Sequence, residues 1–293
     1  MLKPLKTQEP KDSRPARIKL GIEDIKELVA NGRRELKEIY DFKPVKVSDG
    51  EGLKIILGMT LNGILELNLT TDGVNLLIGA GTGSGKSLLI VSIILQLLHN
   101  YKQTECDIYL SDAFNGLNYK AFNPVPNVHL IEKKELDEFL TGILKEVEER
   151  TDIFNSASED VMDIEDYNRE RKKKMPYKLV IFDEMYHIPI KSQEAKDIAE
   201  IGSKCRKCGI FLIIASQKTT TDRINSDITA NFLIRVAMRV ANQQESKNVL
   251  EDVGAELIDI KGRGILKGVG EFQGFFLNPQ SVKMEAQKYW IKK

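Results

Sequence analysis

The chain has 293 residues, 42% of them hydrophobic, and its 43 Lys and Arg balance 43 Asp and Glu to a net charge of zero. This fits one large globular domain, or a core with an appendage, and excludes a disordered or fibrous chain. The neutral balance neither supports nor excludes nucleic acid, since a ring can confine its basic groups to one surface.

In chain order, the opening MLKPLKTQEPKDSRPARIKL combines charge with proline and has no apolar core. It reads as a flexible arm over about residues 1–16 and resembles neither a signal peptide nor an anchor. From Ile22 to Tyr40 the apolar residues fall at helical spacing. Asp49-Gly-Glu-Gly52 marks a turn, after which LKIILGM and ILELNL, separated at Asn62-Gly63, predict a β-hairpin. The apolar run Val74–Ile78 predicts a short buried strand, and Leu88–Leu98 an apolar helix. That helix is too short to span a bilayer and is interrupted by Ser92 and Gln96. A strand over 107–112, an amphipathic helix over 136–154 and a strongly charged stretch over 155–176 follow. The run Arg169–Lys174 favours a solvated surface over a nucleic-acid contact. Buried strands over 179–182 and 210–215 enclose a helix from about 193 to 207. Alternating strands and helices imply a mostly parallel sheet covered on both faces. Cys205 and Cys208 have C-x-x-C spacing, but no second pair or nearby histidine completes a zinc site, so they read as core residues. His99, His129 and His187 are scattered and suggest no metal.

Between the strand at 74–78 and the helix at 88–98 lies GAGTGSGKS, residues 79–87. Strand, glycine-rich loop and helix in this order define a phosphate-binding loop. Gly81, Thr82, Gly83, Ser84, Gly85, Lys86, Ser87 and Leu88 would cradle a nucleoside triphosphate through backbone N–H groups and the positive end of the helix. Lys86 would reach the β- and γ-phosphates, and the Ser87 hydroxyl would ligate Mg²⁺. One departure stands out: Ala80 occupies the leading position of G-x-x-x-x-G-K-[ST], with Gly79 displaced by one.

LVIFDE, residues 179–184, drives a strand through the core and presents Asp183 and Glu184 at its end. Asp183 would hold Mg²⁺ beside Ser87, and Glu184 would polarise the attacking water. IIASQ, residues 213–217, ends a strand in Gln217, whose side chain can touch a γ-phosphate. Behind it, Lys218, Thr219, Thr220 and Arg223 form a loop that either grips a phosphate backbone or caps the next helix.

Together with ITANFLIRVAMRV, LEDVGAELI and KGRGIL, these motifs resemble in order the motor of the FtsK/SpoIIIE family of DNA translocases, over about residues 53–278. The resemblance implies a RecA-like ATPase that uses ATP and Mg²⁺ and forms a ring, a hexamer, around double-stranded DNA. It assigns the sensor to Gln217, a trans-acting arginine to Arg235 with Arg239 as the fallback, and a DNA-facing pore loop to Lys218–Arg223. Asp112 matches an acidic strand-end position, although Ala113-Phe114 replace the family's Pro-Lys. The expected organisation is an arm and helix over 1–46, the motor over 47–284 and a tail over 285–293. The family's membrane-spanning region and winged-helix module are not expected in this chain. A cytoplasmic motor of a conjugative or other mobile element is therefore expected, with a relaxase or a membrane transfer partner. A type VII-like secretion ATPase and a viral packaging ATPase are the alternatives.

Overall fold

The computed structural model describes residues 18–19, 36–73, 75–113, 116–169, 171–185, 188–217 and 226–290. The arm expected over 1–16, most of the helix expected over 22–40, and the pore loop expected over 218–223 lie outside the described residues.

One sheet organises the chain. Its parallel half contains β5 (Leu76–Gly79), β6 (Cys106–Asp112), β7 (Val128–Ile131), β8 (Tyr177–Asp183), β9 (Ile210–Ser216) and β10 (Ile234–Met238), in the spatial order β10-β5-β9-β8-β6-β7. Every neighbouring pair in that block is parallel. β5 and β9 are buried at every position, as expected of strands covered on both faces. An antiparallel wing continues from β10 through β11 (Arg263–Leu266), β12 (Gly270–Gln273), β3 (Lys54–Thr60), β4 (Gly63–Asn68) and β1 (Ile18–Lys19). The hairpin expected from Asn62-Gly63 is β3–β4, with Thr60 opposite Gly63. It joins the core through β12 and not beside β5.

Helix α1 (Lys86–Asn100) follows the glycine loop and is buried almost all round, including the polar Ser92 and Gln96. Gln96 is accounted for by a strap, residues 43–47. Val45 N–H donates to Gln96 Oε1 at 2.9 Å, and Gln96 Nε2 donates to the Lys43 carbonyl at 3.0 Å. Asn100, one turn on, does the same for Val47 and Val45. Two carboxamides on one helix face thus pair the partly buried backbone groups of this segment.

The helical pattern expected to reach Tyr40 gives way to a strand. β2 (Tyr40–Asp41) pairs in parallel with β13 (Phe275–Phe276), and Phe42 meets Phe275 edge-on at 6.0 Å. Tyr40, Phe42, Val45 and Val47 pack on the cluster of Ile56, Met59, Ile64 and Phe275. Tertiary burial of these side chains overrides the local period. At the other end, helix Pro279–Gln287 runs through residue 284, where the sequence places the motor boundary. Trp290 beyond it donates to the Ala121 carbonyl at 3.0 Å.

The helix Gln193–Lys204 ends in a 3-10 turn, Cys205–Cys208. Both thiols are buried, and desolvation pushes Cys205 up to about 12, so it behaves as a small core residue. Among the described residues, no helix is long and apolar enough to cross a membrane.

Candidate nucleotide site

β5 ends at Gly79 and the chain turns into the loop. The Ala80 N–H still bonds the Ser216 carbonyl of β9 at 3.1 Å, and its methyl is fully buried. Ala80 is not among the residues with positive φ, so the leading alanine costs no left-handed strain. The position that requires glycine is the next one, Gly81. Gly81 N–H bonds the Arg239 carbonyl at 2.7 Å, and a Cβ on Gly81 would sit 3.0 Å from that oxygen. Gly85 is doubly constrained: its φ is 109°, and a Cβ there would stand 3.0 Å from Cα of Gly262. The Gly262 N–H pins the loop from that side through the Ser84 carbonyl at 2.8 Å.

Gly85 is the N-cap of α1. No side chain caps the helix and its first turn holds no acid. A helix start whose N–H groups meet the loop, with no carboxylate to occupy them, is an anion site.

Lys86 is 4% exposed and stands between two carboxylates, pairing with Asp183 and, at 2.6 Å, with Glu184. Adjacent strand residues point to opposite faces, so two neighbours reach one ammonium only if the strand breaks between them. Glu184 supplies the break with φ of 68°, a conformation that costs a non-glycine residue about 1–2 kcal/mol. Its N–H bonds the Ala215 carbonyl at 2.8 Å, which holds the kink in register with β9. The Glu184 carboxylate also takes the Gln217 side-chain amide and the Gln217 N–H, the latter at 3.2 Å. Thr82 closes the circuit by donating to Gln217 Oε1 at 2.7 Å. Thr82, Lys86, Asp183, Glu184 and Gln217, from three separate sequence motifs, therefore meet in one network.

Sequence reasoning missed Tyr119. It lies in a 3-10 turn, Leu117–Phe122, with its ring fully buried, and its hydroxyl donates to Asp183 Oδ2 at 2.7 Å. Burial, and then the Asp183 charge, push its pKa well above the ordinary tyrosine value, so it remains a donor; Ser87 is also a hydrogen-bond neighbour. No motif announces it, because the turn that delivers it has no periodic pattern. Asp112 sits level with Asp183 across β6 and β8, and its carboxylate caps its own turn at Gly116 N–H. Leu88 packs its side chain against the core. Lys218, Thr219, Thr220, Arg223 and His187 fall outside the described residues.

Arg235 stands apart from these residues. It pairs with Leu77 near the start of β10, away from the loop that follows Gly79. Its guanidinium donates to the Phe232 and Thr229 carbonyls, both at 3.1 Å, and pairs with Glu251 at 2.7 Å. With its side chain 12% exposed, it is engaged by these partners within its own chain. Arg235→Ala is expected to cost about 2 kcal/mol of stability, the value of charge-assisted bonds to part-buried acceptors. Denaturant unfolding would show this loss, with ATP affinity unchanged; full stability in the variant would refute the structural role.

A buried strand, a glycine loop closing on a helix start, and a lysine facing two strand-end acids define a P-loop NTPase of the ATPase kind. The FtsK/SpoIIIE family model matches residues 35–272, and the chain belongs to that family. It is 30% identical over 296 residues to the DNA translocase FtsK of Staphylococcus epidermidis (strain RP62A), covering 92% of this chain and 35% of the relative. It is 31% identical over 225 residues to the DNA translocase SftA of Bacillus subtilis, covering 72% and 23%. The chain thus spans about a third of the length of the FtsK relatives it matches. Among solved structures, the pCW3 conjugation coupling protein TcpA, in its monomer form with ATPγS, superposes with a TM-score of 0.74 at 21% identity. That likeness covers 87% of this chain and 75% of TcpA. The cytoplasmic domain of the type VII secretion ATPase EccC of Thermomonospora curvata gives 0.72 at 20% identity, covering 88% and 33%. At these identities both likenesses speak for the fold alone.

Proposed function

We propose that the chain is the motor of an ATP-driven double-stranded DNA translocase. It works from the cytoplasm as a homo-oligomeric ring, a hexamer, in conjugative or other mobile-element DNA transfer with a relaxase or membrane-borne transfer partner. The observation that carries the reading is the circuit Thr82–Gln217–Glu184–Lys86. It ties the phosphate loop and the water-activating acid to the residue immediately before Lys218, where the DNA-facing loop would begin. Family membership and relatives named as DNA translocases support the same reading.

In this reading the loop amides and Lys86 bind the phosphates, whose oxygens take over Lys86 from the two carboxylates. Ser87 and Asp183 would hold Mg²⁺. They are hard oxygen donors of the type that ion takes, and both neighbour the Tyr119 hydroxyl, so the residues fit the group. The ion supplies neutralisation of charge on the β- and γ-phosphates. Tyr119 holds one Asp183 oxygen and so orients the other. Glu184, released from Lys86, accepts the proton of the attacking water at its carboxylate. Gln217 loses a partner when Glu184 turns and passes the change to residues 218–223. There Lys218, Thr219, Thr220 and Arg223 suit a grip on phosphates without base readout.

The test is ATP turnover with and without long double-stranded DNA. Strong stimulation is expected, independent of sequence and falling steeply as salt rises, because phosphate contacts release counterions. Stimulation by a protein substrate in place of DNA would overturn the translocase reading in favour of secretion.

A further inference from the structure

We propose that Arg239 is a nucleotide-binding residue in cis that contacts the α-phosphate and ribose edge of the bound nucleotide. This rests on the reading that the loop binds ATP, and adds a subsite for the inner half of that ligand. Strand order sets the direction in which the ligand lies. β5 carries the loop, with β9 and β8 on one side and β10 on the other. Of the acids that face the terminal phosphate in that reading, Asp183 ends β8 and Glu184 follows it. A nucleotide is a linear ligand, so with its terminal phosphate toward β8 the α-phosphate and nucleoside leave toward β10.

Arg239 immediately follows β10 on that side. Its carbonyl clamps Gly81 N–H at 2.7 Å, which fixes its backbone against the loop. Its guanidinium lies over the loop's flank, with Nη2 4.0 Å from where a Cβ on Gly83 would stand. The side chain is half-buried and, unlike Arg235 within β10, has no hydrogen-bond or ion-pair partner among the described residues. A guanidinium held in this way beside an anion cradle is a ready donor to a phosphate oxygen, and its planar fork suits two of them.

Titration of ADP and ATPγS separately into wild type, Arg239→Gln and Arg239→Lys tests the assignment. Both nucleotides are expected to bind Arg239→Gln about 10- to 100-fold more weakly, in constant ratio, because the contact is to a part they share. Arg239→Lys, which keeps the charge and loses the fork, should fall between, and it carries the test if the glutamine variant melts early. Unchanged affinity for both nucleotides in the glutamine variant would overturn the proposal, as would a loss confined to ATPγS. So would normal binding with lost turnover that Lys86→Ala subunits restore on mixing, since that marks a residue acting across an interface. If wild type bound neither nucleotide, the ATPase reading itself would fall; wild-type binding matched by the glutamine variant would remove only this subsite.

Discussion

Lys86→Ala is expected to lose nucleotide binding, with ATP and ADP affinities falling by about 10³-fold, equivalent to roughly 4 kcal/mol. Two effects of the same sign add. The substitution removes a charge-assisted donor to the phosphates. It also leaves Asp183 and Glu184, both buried, without the cation they share, so two uncompensated carboxylates confront the incoming anion. Because a buried ion pair is broken, folding stability should fall as well, by about 3–5 kcal/mol. Binding is therefore read by calorimetry at a temperature where the variant is shown to be folded. Lys86→Arg separates the two effects: it restores a cation for the carboxylates and so stability, yet its rigid fork cannot mimic an ammonium that must reach between phosphates. It should fold well and still bind weakly. Wild-type affinity in Lys86→Ala would refute the phosphate role.

What the sequence reveals about this site depends on how local the cause is. The loop was legible because strand, glycines and helix are consecutive and each element forms for reasons within a few residues of itself. Asp183 and Glu184 were legible as a strand end, but their convergence on Lys86 was not. It depends on the left-handed turn at Glu184, which is held by Ala215 of another strand. Tyr119 was invisible because only the folded sheet brings its turn under Asp183. The intrachain contacts of Arg235 cannot be read from its motif position, because Thr229, Phe232 and Glu251 meet it only in the fold. Parallel sheets present ligands at the carboxyl ends of their strands, and by that rule Arg239, not Arg235, stands at the working end of β10. The antiparallel wing was only half readable: its hairpin has a turn signal, whereas the short strands β11 and β12 are fixed by distant partners such as Met238 and Met59. Tyr40 failed as a helix end for the same reason, since its partner Phe275 lies at the other end of the chain.

Glu184→Gln should dissociate binding from chemistry. The amide has nearly the shape of the carboxylate and retains an oxygen for the Gln217 N–H, so the kink after β8 and the loop behind it are expected to survive. It cannot accept a proton from water. Turnover should fall by about 10²- to 10⁴-fold, the usual worth of a positioned general base. ATP affinity should be retained or tightened, because Lys86 then has one carboxylate partner fewer to leave when phosphate arrives. Steady-state hydrolysis together with ATPγS titration measures both quantities in one preparation. Normal hydrolysis would show that another group activates the water. A loss of affinity matching that of Lys86→Ala would show that Glu184 serves mainly to hold the lysine in place. The wild-type pairing favours the catalytic outcome on geometry. Lys86 keeps Asp183 when Glu184 is neutralised, so the lysine remains placed while only the acceptor for the water's proton is removed.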